Sequence, residues 1–362
     1  MNLENTYRGK RILVTGHTGF KGAWLTLWLA QMGCEIAGLA LDPQPGAARL
    51  FRMIESSLTE DFRQDIRDED AVAKIVQSVE PDFVFHLAAQ PLVIESYRDP
   101  VTTVSTNILG TANLLNAVKG GAQNAHTIIV TTDKCYENRE ERYVYRECDR
   151  LGGHDVYAAS KAATEIVVAA FNRSFFESTS VPGRVVTARG GNVIGGGDFS
   201  ENRIMPDIVR ALSVNQPVCV RNPDATRPWQ HVLDCLSGYL ALGKWMVSDE
   251  AGSFQDRPRA FNFGPVPSCE RSVSDLVKEV FETWPGSWEN NSRPDSHHEA
   301  SRLSIAIDLA DSVLGWRPVW QFPETVRRTV EWYRAESSGA GDTELQQLMI
   351  SQIDDLQSVN SA

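Results

Sequence analysis

The sequence predicts an α/β protein built around a doubly wound parallel sheet, with a smaller α/β domain at its C-terminal end. Short apolar runs alternate with helix-length segments through the first half of the chain. A glycine-rich turn follows the first of these runs and leads straight into a helical pattern. Because parallel strands are joined by right-handed helical crossovers, this alternation is typical of a Rossmann-type fold.

The elements of the first half are predicted from the spacing of their apolar residues. Short runs of apolar and β-branched residues indicate buried strands, and apolar residues that recur every three or four positions indicate helices. In chain order these are a strand at 11–15, a helix at 19–32, strands at 35–41 and 82–87, a helix at 103–118, a strand at 127–132, a helix at 155–175 and a strand at 184–188.

Glycine and proline interrupt the pattern after residue 190, where helices are expected at 206–214, 233–247, 273–283 and 322–334. We therefore expect a dinucleotide-binding domain at 1–190, which takes back residues 231–262, and a mainly substrate-binding domain at 191–335. Residues 336–362 are polar and rich in small side chains. We expect them to form a frayed tail with one helical segment around 345–356.

Composition and charge exclude several classes of protein. A net charge of −12 leaves no basic stripe for the phosphates of a nucleic acid. The first ten residues are polar, unlike a secretion signal, and no window reaches the roughly 18 apolar residues of a membrane span. The six cysteines follow no pattern of a zinc site or a disulfide framework. We therefore expect a cytoplasmic protein with no metal, no nucleic-acid partner and no membrane contact.

The glycine-rich turn at 15–22 predicts the cofactor. Gly16, Gly19 and Gly22 are spaced by three residues between a strand and a helix, where glycine lets the backbone approach a pyrophosphate at the helix N-terminus. Asp42 follows the second strand, and a carboxylate there binds the adenosine ribose and repels a 2′-phosphate. Because no arginine immediately follows Asp42, NAD is favoured over NADP. A purely structural turn is the alternative.

Further cofactor contacts are expected beside the turn and after later strands. Taken alone, each residue after a later strand would more often serve packing. Residues 65 and 66 follow the third strand, where they would meet the adenine, and small side chains at 87–90 allow a dinucleotide to lie against the backbone. The predicted cofactor contacts are Gly16, His17, Gly19, Phe20, Lys21, Gly22, Asp42, Asp65, Ile66, Leu87, Ala88, Ala89 and Gln90, together with Tyr157 and Lys161.

A second constellation supplies groups that move protons. Tyr157 and Lys161 lie one helical turn apart and therefore on one helix face, and Thr132 ends the preceding strand. A phenol is a poor base near neutral pH, but a neighbouring ammonium and an oxidised nicotinamide favour its phenolate. Tyr157 is thus expected to take a substrate proton, with Lys161 lowering its pKa and Thr132 binding the same substrate oxygen. Asp133 and Lys134 follow directly and add an acid and a possible base.

With these motifs the chain resembles the extended short-chain dehydrogenase/reductases that act on nucleotide sugars, and within them the 4,6-dehydratases. The resemblance runs from residue 10 to residue 334. It rests on TGHTGFKG at 15–22, HLAAQ at 86–90, YAASK at 157–161, RGGNV at 189–193, FNFG at 261–264 and LGWRP at 314–318. Many dTDP-glucose enzymes carry Asp-Glu where this chain has Asp133 and Lys134. That departure is similar to the CDP-glucose 4,6-dehydratases and also to the Asp-Lys of the UDP-N-acetylglucosamine dehydratases. DKCYEN at 133–138 and RPWQHV at 227–232 are most similar to the CDP-glucose branch.

The resemblance implies a reaction in three stages, with NAD as cofactor and CDP-glucose as substrate. C4 of the sugar is oxidised, water is lost across C5 and C6, and the hydride returns to C6. Asp133 is then the acid toward the C6 hydroxyl and Lys134 the base at C5, although a coupled pair can also exchange these roles. The product is expected to feed 3,6-dideoxyhexoses of bacterial O-antigen. A solvated ion pair is the alternative for Asp133 and Lys134.

The family's substrate contacts carry over to five positions. By resemblance the nucleotide sugar is expected at Asn192 (sugar or phosphate), Arg203 and Arg227 (nucleotide), Asn262 (a phosphate) and Arg302 (diphosphate). Four further residues are candidates for contact with the cytosine base, although they could as easily be core or surface residues: Trp284, Trp288, His297 and His298.

Analogy with the family also predicts a homodimer or homotetramer in which the helices at 103–118 and 155–175 build a four-helix interface. Three other functions stay open: a dehydratase for a dTDP- or UDP-linked sugar, a nucleotide-sugar 4-epimerase, and a non-catalytic nucleotide-binding protein. Asp133 and Lys134 speak against the epimerase. The presence of Tyr157 and Lys161 speaks against the non-catalytic protein.

Overall fold

The computed structural model describes residues 3–177, 183–248, 258–266, 269–291 and 302–361. Its strands are β1 (Arg11–Thr15), β2 (Glu35–Ala40), β3 (Glu60–Arg63), β4 (Phe83–His86), β5 (His126–Thr131), β6 (Val185–Gly190), β7 (Val193–Ile194), β8 (Val218–Val220), β9 (Thr226–Pro228), β10 (Gln230–His231), β11 (Ala260–Phe263), β12 (Glu270–Ser272) and β13 (Trp288–Asn290).

The α-helices of the described residues are α1 (Glu4–Tyr7), α2 (Phe20–Gln31), α3 (Ala48–Ile54), α4 (Glu69–Val79), α5 (Val93–Arg98), α6 (Pro100–Val104), α7 (Gly110–Gly121), α8 (Val156–Phe171), α9 (Ile204–Ser213), α10 (Val232–Val247), α11 (Val273–Thr283), α12 (Asp308–Leu314), α13 (Phe322–Ser337) and α14 (Asp342–Ser361). Within the described residues, no helix combines the length and apolar character that a membrane crossing requires.

A seven-stranded sheet in the order β3-β2-β1-β4-β5-β6-β11 forms the centre of the fold. Every neighbouring pair in it is parallel. The predicted Rossmann-type sheet is therefore confirmed. Strand β11 joins the sheet beside β6, so the chain returns to the first half after residue 231. The predicted domain boundaries themselves stay a prediction.

Both faces of this sheet are covered, which explains why its strands are almost continuously apolar. Ile12 and Val14 of β1 point into a layer that contains Trp24 of α2 and Leu236 of α10. Leu13, between them, points into the opposite layer with helices α4, α7 and α8. The alternation follows from the two-residue period of a strand.

The C-terminal segment corrects one prediction. The expected frayed tail is wrong, because residues 342–361 form the helix α14, of which 345–356 were predicted. Leu345, Met349, Ile353 and Leu356 are fully buried, and their spacing places them on one helix face. The polar and small residues that suggested fraying lie around this apolar stripe, which packs on the core of the first half.

The carboxyl ends of four strands meet at one edge of the sheet. Thr15 at the end of β1 is in register with His86 of β4, and Thr131 of β5 is in register with Arg189 of β6. The chain order reverses direction between β1 and β4. In open α/β sheets ligands bind at such a switch point, and the predicted site residues come from the loops at this edge.

Candidate active site

The glycine turn has the geometry that its sequence predicts. Gly16 adopts a φ of +76°, and a Cβ there would lie 2.7 Å from the backbone nitrogen of Ala88. A Cβ on Gly22 would lie 2.1 Å from the carbonyl oxygen of Gly16. Gly19 precedes α2, whose first turn has no side-chain cap. The backbone therefore leaves a cradle at a helix N-terminus that fits the pyrophosphate of a dinucleotide.

The other residues of the turn contact the protein with their side chains. The imidazole of His17 is buried and its Nε2 lies 3.0 Å from Asp61 Oδ1. The ring of Phe20 is half-buried and lies close to Gly195. Lys21 donates a hydrogen bond to the hydroxyl of Tyr239 at 3.4 Å. Any cofactor contact of His17 would therefore come from its backbone.

The two acidic positions predicted for the adenosine half differ in their surroundings. Asp42 is exposed two residues after β2 ends. The carboxylate of Asp65 accepts hydrogen bonds from Nε and Nη2 of Arg67, and these bonds lower the pKa of Asp65. Ile66 is buried against Gly110 of α7. Asp42 is thus the accessible carboxylate of the two expected at the ribose and the adenine.

Residues 87–90 follow β4 beside the glycine turn. The backbone nitrogen of Ala88 donates to Thr15 Oγ1 at 3.2 Å. Leu87 and Ala89 are half-buried. The amide of Gln90 donates to Thr103 Oγ1 at 2.8 Å. These local bonds hold the loop next to Gly16, as a dinucleotide-binding loop requires, and its cofactor contacts stay a prediction.

Thr132, Asp133 and Lys134 form a short turn directly after β5. Asp133 is fully buried and accepts hydrogen bonds from Thr132 Oγ1 and Asn192 Nδ2, both at 3.0 Å. A Cβ on Gly191 would lie 2.0 Å from the Asp133 carboxyl carbon, so only glycine permits this approach. Lys134 is half-buried. In the described part of the chain no ion pair joins Lys134 to Asp133, which does not support a simple solvated pair.

Tyr157 and Lys161 lie on the first turns of α8. Asp155 caps this helix by accepting a hydrogen bond from Ala158 N at 2.9 Å. The hydroxyl of Tyr157 is hydrogen-bonded to Thr132, and burial raises the pKa of Tyr157 to about 12. Lys161 donates to the carbonyl of Val130 at 3.1 Å. The structure thus brings the predicted tyrosine, lysine and threonine together.

The ammonium of Lys161 is buried, and its pKa departs from the ordinary value of a lysine. Burial lowers the pKa of Lys161 to about 8, and the charge of Lys21 acts in the same direction. Glu165, one turn further along α8, opposes both effects. A pKa of about 8 brings Lys161 nearer to the pH range in which a general acid–base group is most effective.

The predicted substrate contacts lie on three loops of the second half. Asn192 has a φ of +49° and donates to Asp133, as above. Arg203 is bonded to Asp198 at 2.8 Å, and its charge reaches Tyr157. Arg227 is buried on β9, and Arg302 forms a β-bridge to the residue before it. Their substrate roles stay a prediction.

Asn262 requires a correction. Its side chain is fully buried, accepts a hydrogen bond from Tyr136 Oη at 2.6 Å and donates to the carbonyls of Tyr145 and Ala306 at 3.1 Å. The prediction of a phosphate contact is therefore wrong, because every polar atom of this amide already has a protein partner. Among the candidates for base contact, Trp288 lies in β13, whereas His297 and His298 lie outside the described residues.

A buried ion pair between Arg189 at the end of β6 and Glu165 of α8 was not predicted. Arg189 Nη2 donates to Glu165 Oε2 at 2.8 Å, and both side chains are almost fully buried. Glu165 also accepts from Thr187 at 2.8 Å and from Thr131. Two features of the sequence could have indicated this pair. Arg189 is a single charge at the end of the apolar run of β6, and Glu165 is a charge inside the largely apolar helix α8.

His86 was also missed as a site residue, although it opens the motif at 86–90. Its Nδ1 lies 2.7 Å from Thr15 Oγ1 and its Nε2 lies 3.0 Å from Thr111 Oγ1. Burial lowers the pKa of His86 to about 3, and Lys161 adds to this effect. The imidazole is therefore neutral and ties β1 to β4 and α7 below the catalytic groups.

Comparison with known proteins agrees with this geometry. The sequence pattern of the GDP-mannose 4,6-dehydratase family matches residues 13–329. CDP-glucose 4,6-dehydratase of Salmonella typhimurium is 41% identical to the chain over 340 residues, which cover 92% of each protein.

Solved structures share the fold. Epimerase Mth375 of Methanothermobacter thermautotrophicus superimposes with a TM-score of 0.76 at 25% identity, covering 93% of this chain and 96% of that one. The dTDP-glucose 4,6-dehydratase of Bacillus anthracis in complex with NAD superimposes with a TM-score of 0.72 at 18% identity, covering 90% and 97%.

Proposed function

The chain belongs to the GDP-mannose 4,6-dehydratase family, and from this membership we propose that it converts CDP-D-glucose to CDP-4-keto-6-deoxy-D-glucose. The observation that carries the choice of substrate is the 41% identity to a CDP-glucose 4,6-dehydratase over nearly the whole of both proteins. The reaction oxidises C4, removes water across C5 and C6, and reduces C6. It has no net redox change, so the enzyme is a lyase.

NAD is the cofactor of the proposed reaction. When bound, it supplies a hydride acceptor at the start of the cycle and a hydride donor at its end. The turn at Gly16 and Gly22 would hold its pyrophosphate, since both positions exclude a side chain. Asp42 would accept hydrogen bonds from the ribose hydroxyls, and Lys161 would hold the second ribose.

Tyr157 is the proposed base for the hydroxyl at C4. Because burial raises its pKa to about 12, Tyr157 needs nearby positive charge and hydrogen-bond donors to lose its proton near neutral pH. Arg203 supplies positive charge and Thr132 a hydrogen bond, and both lower the pKa of Tyr157. Thr132 then orients the substrate oxygen that Tyr157 deprotonates.

Asp133 and Lys134 are the proposed groups for the loss of water. A ketone at C4 acidifies the proton at C5, which Lys134 removes, while Asp133 protonates the leaving C6 hydroxyl. Thr132 and Asn192 orient the Asp133 carboxyl from both sides at 3.0 Å. The exchange of roles within this pair stays the alternative, since neither group is held by the other in an ion pair.

Asn192, Arg203, Arg227 and Arg302 are the proposed contacts of the nucleotide and its diphosphate. Three of them are arginines, whose planar guanidinium groups suit phosphate oxygens. Arg227 and Arg302 approach each other through the β-bridge between Thr226 and Arg302. Asn262 no longer belongs to this set.

The first experiment is to incubate the protein with NAD⁺ and CDP-glucose in deuterated water and to follow the sugar by NMR. We expect a C4 ketone, a C6 methyl group and deuterium at C5. If dTDP- or UDP-glucose reacts and CDP-glucose does not, the proposed dehydration is retained and the assignment of cytidine as the nucleoside of the substrate is overturned. A C4 epimer without a methyl group would overturn the roles of Asp133 and Lys134.

The role of Lys134 is tested by Lys134→Ala. We expect C4 oxidation to continue slowly, seen as a rise in NADH absorbance, while no C6 methyl product forms. The matched control is Lys74→Ala, an exposed lysine on α4, which should turn over at the unaltered rate. Normal dehydration by Lys134→Ala would remove Lys134 from the mechanism.

A homodimer or homotetramer is proposed as the working assembly. Two apolar side chains are more than half exposed on the helices expected at the interface, Leu109 before α7 and Ile166 in α8, and Val101 in α6 is exposed just before the first of these helices. An exposed apolar surface of this kind is typical of a subunit contact. Light scattering should show at least a dimer, and Ile166→Asp should shift it to a monomer. A monomeric wild-type protein would refute this proposal.

We also propose a cytoplasmic location and a product destined for 3,6-dideoxyhexoses of O-antigen. The location is supported by six cysteines that are all free thiols, as expected in a reducing compartment. The destination rests on the resemblance alone.

A further inference from the structure

One buried ion pair contacts both ends of the turn at 132–135. At the start of the turn, the hydroxyl of Thr131, the last residue of β5, donates a hydrogen bond to the carboxylate of Glu165. At its end, Nη1 of Arg189 donates to the hydroxyl of Tyr136 at 2.9 Å. Arg189 and Glu165 are joined to each other at 2.8 Å. The anion of the pair therefore holds the entry to the turn, and the cation holds its exit.

The side chain of Tyr136 is held by several contacts at once. It is fully buried, and its hydroxyl donates to Asn262 Oδ1 at 2.6 Å while it accepts the bond from Arg189. Its ring stacks on that of Tyr145 with the ring centres 5.2 Å apart. Burial raises the pKa of Tyr136, so the hydroxyl keeps the proton that it donates. The residue that follows the turn is thus attached to both β6 and β11.

The same guanidinium supports the loop that pairs with Tyr136. Tyr136 forms an antiparallel β-bridge with Leu151. Nη1 of Arg189 also donates to the carbonyl of Glu147, in the loop between these two residues, at 3.1 Å. Arg189 therefore fixes the exit of the turn directly and the partner of that exit through the loop.

Fold stability alone is a poor explanation of this pair. Withdrawing two charges from water costs about as much free energy as their attraction returns. Both charges, however, belong to regular elements, since Glu165 lies in α8 and Arg189 in β6. The pair is thus placed to fix the turn relative to α8, the helix that carries Tyr157.

We propose that the ion pair of Glu165 and Arg189 positions the turn at 132–135 for the loss of water. Both residues act through the hydroxyls of other side chains, Glu165 through Thr131 and Arg189 through Tyr136. The inference rests on the proposed function, because it takes this turn to carry the acid and the base of the dehydration. A displacement on the order of 1 Å between reacting groups can slow a reaction about 100-fold, so small movements of the turn matter.

The loss of water is the step that depends most on the turn. Its proposed acid and base, Asp133 and Lys134, are consecutive residues of the turn and must reach two adjacent carbons of one sugar. C4 oxidation uses Thr132 from the turn and otherwise depends on Tyr157, which α8 positions. A loosened turn should therefore slow formation of the C6 methyl group more than the reduction of NAD⁺, and NADH should accumulate.

The test is Tyr136→Phe, which removes the hydroxyl and keeps the stacked ring. With CDP-glucose and NAD⁺, kcat for the methyl product should fall about 10- to 100-fold while KM stays within about twofold. NADH absorbance should rise during turnover.

The matched control is Tyr7→Phe. Tyr7 is also fully buried, and its hydroxyl donates to the carbonyl of Leu240 at 2.7 Å. Its ring packs on Phe83, at the start of β4 and therefore at the sheet edge opposite the site. Each variant loses one buried hydroxyl, so both should have a lower melting temperature. Tyr7→Phe should nevertheless turn over at the wild-type rate.

Hydrogen exchange followed by mass spectrometry tests the inference in the protein without substrate. The backbone amides of Lys134 and Cys135 are hydrogen-bonded to Thr132 within the turn, both at 3.3 Å. In Tyr136→Phe these amides should exchange at least about tenfold faster than in the wild type, whereas in Tyr7→Phe they should not. Thr131→Val removes the hydrogen bond at the other end of the turn and should have the same effect, also if Tyr136→Phe does not fold.

A purely structural role of the pair predicts lower melting temperatures with no change in the turn. Equal exchange in Tyr136→Phe and Tyr7→Phe, or a kcat of Tyr136→Phe within about twofold of the wild-type value, would overturn the inference. Slow turnover without accumulation of NADH would place the effect on C4 oxidation and would overturn it as well. If the wild type does not convert CDP-glucose, the proposed function fails, and the exchange experiment still decides whether the pair holds the turn.

Discussion

Removing Glu165 should destabilise the protein strongly and change the titration of Lys161 at the same time. Glu165 is buried with 3% of its side chain exposed, and its partner Arg189 has 4% exposed. The carboxylate accepts hydrogen bonds from Arg189, Thr187 and Thr131. In Glu165→Ala these donors lose their acceptor, and Arg189 keeps a buried charge without a counter-charge.

The size of the effect follows from the burial of the pair. Removing one partner of a buried ion pair costs about 3–5 kcal/mol, mostly because the other charge remains buried. For 362 residues at roughly 2.1 cal/mol/K each, the entropy of unfolding is about 0.76 kcal/mol/K, so about 4 kcal/mol lowers the melting temperature by roughly 5 °C. Glu165 also raises the pKa of Lys161, so its loss should lower the titration midpoint of Lys161.

The assay is urea unfolding followed by circular dichroism, on a double-mutant cycle. Glu165→Ala and Arg189→Met should each cost about 3–5 kcal/mol, whereas Glu165→Ala combined with Arg189→Met should cost much less than the sum of the two, because no charge is left unpaired. A cost below about 1 kcal/mol for Glu165→Ala would refute the reasoning, since an exposed pair has that value. Additive single and double variants would refute it as well.

Three further outcomes are expected. Gly22→Ala should abolish NAD binding in calorimetry, because its Cβ would lie 2.1 Å from a backbone oxygen of the turn, whereas Gly120→Ala, with open space around it, should bind normally. Met349→Ala should lower the free energy of unfolding in urea by about 2–5 kcal/mol, since Met349 is fully buried in α14. The control Gln347→Ala, at an exposed position of the same helix, should change that free energy little. Equal effects of the two substitutions would contradict the packing of α14. The folded pKa of His86, about 3, is below the ordinary value, so its contribution to stability is present above pH 6.5 and lost as pH falls toward 3. His86→Gln should therefore lose about 1.4 kcal/mol less per pH unit than wild type between pH 6.5 and 4, and parallel stability curves would contradict this.

Local pattern was enough to predict the fold class and to single out residues that the structure brings together at one edge of the sheet. A run of apolar residues predicts a buried parallel strand, and the three-residue spacing of the glycines within 15–22 predicts the cofactor-binding turn. The helix predicted at 273–283 is observed as α11 with the same bounds, and its capping box is formed by neighbours at Ser272 and Asp275. The structure brings Thr132, Tyr157 and Lys161 together because they end or begin elements at one sheet edge.

Contacts between distant segments decided the rest. The side chain of Asn262 is used by Tyr136 and two backbone carbonyls, which no motif at 261–264 reveals. The ion pair of Glu165 with Arg189 and the hydrogen bond from Lys21 to Tyr239 join residues that are far apart in the chain, so no local pattern reveals them.

The physical reason is the range of the interactions. Backbone conformation and burial period act within a few residues and leave their pattern in the sequence, so strands, helices and the cofactor turn could be predicted. Whether a charge or an amide faces a ligand or another side chain depends on which surfaces pack together across the sheet. Only the tertiary structure decides this, as it did for Asn262, α14 and Lys21.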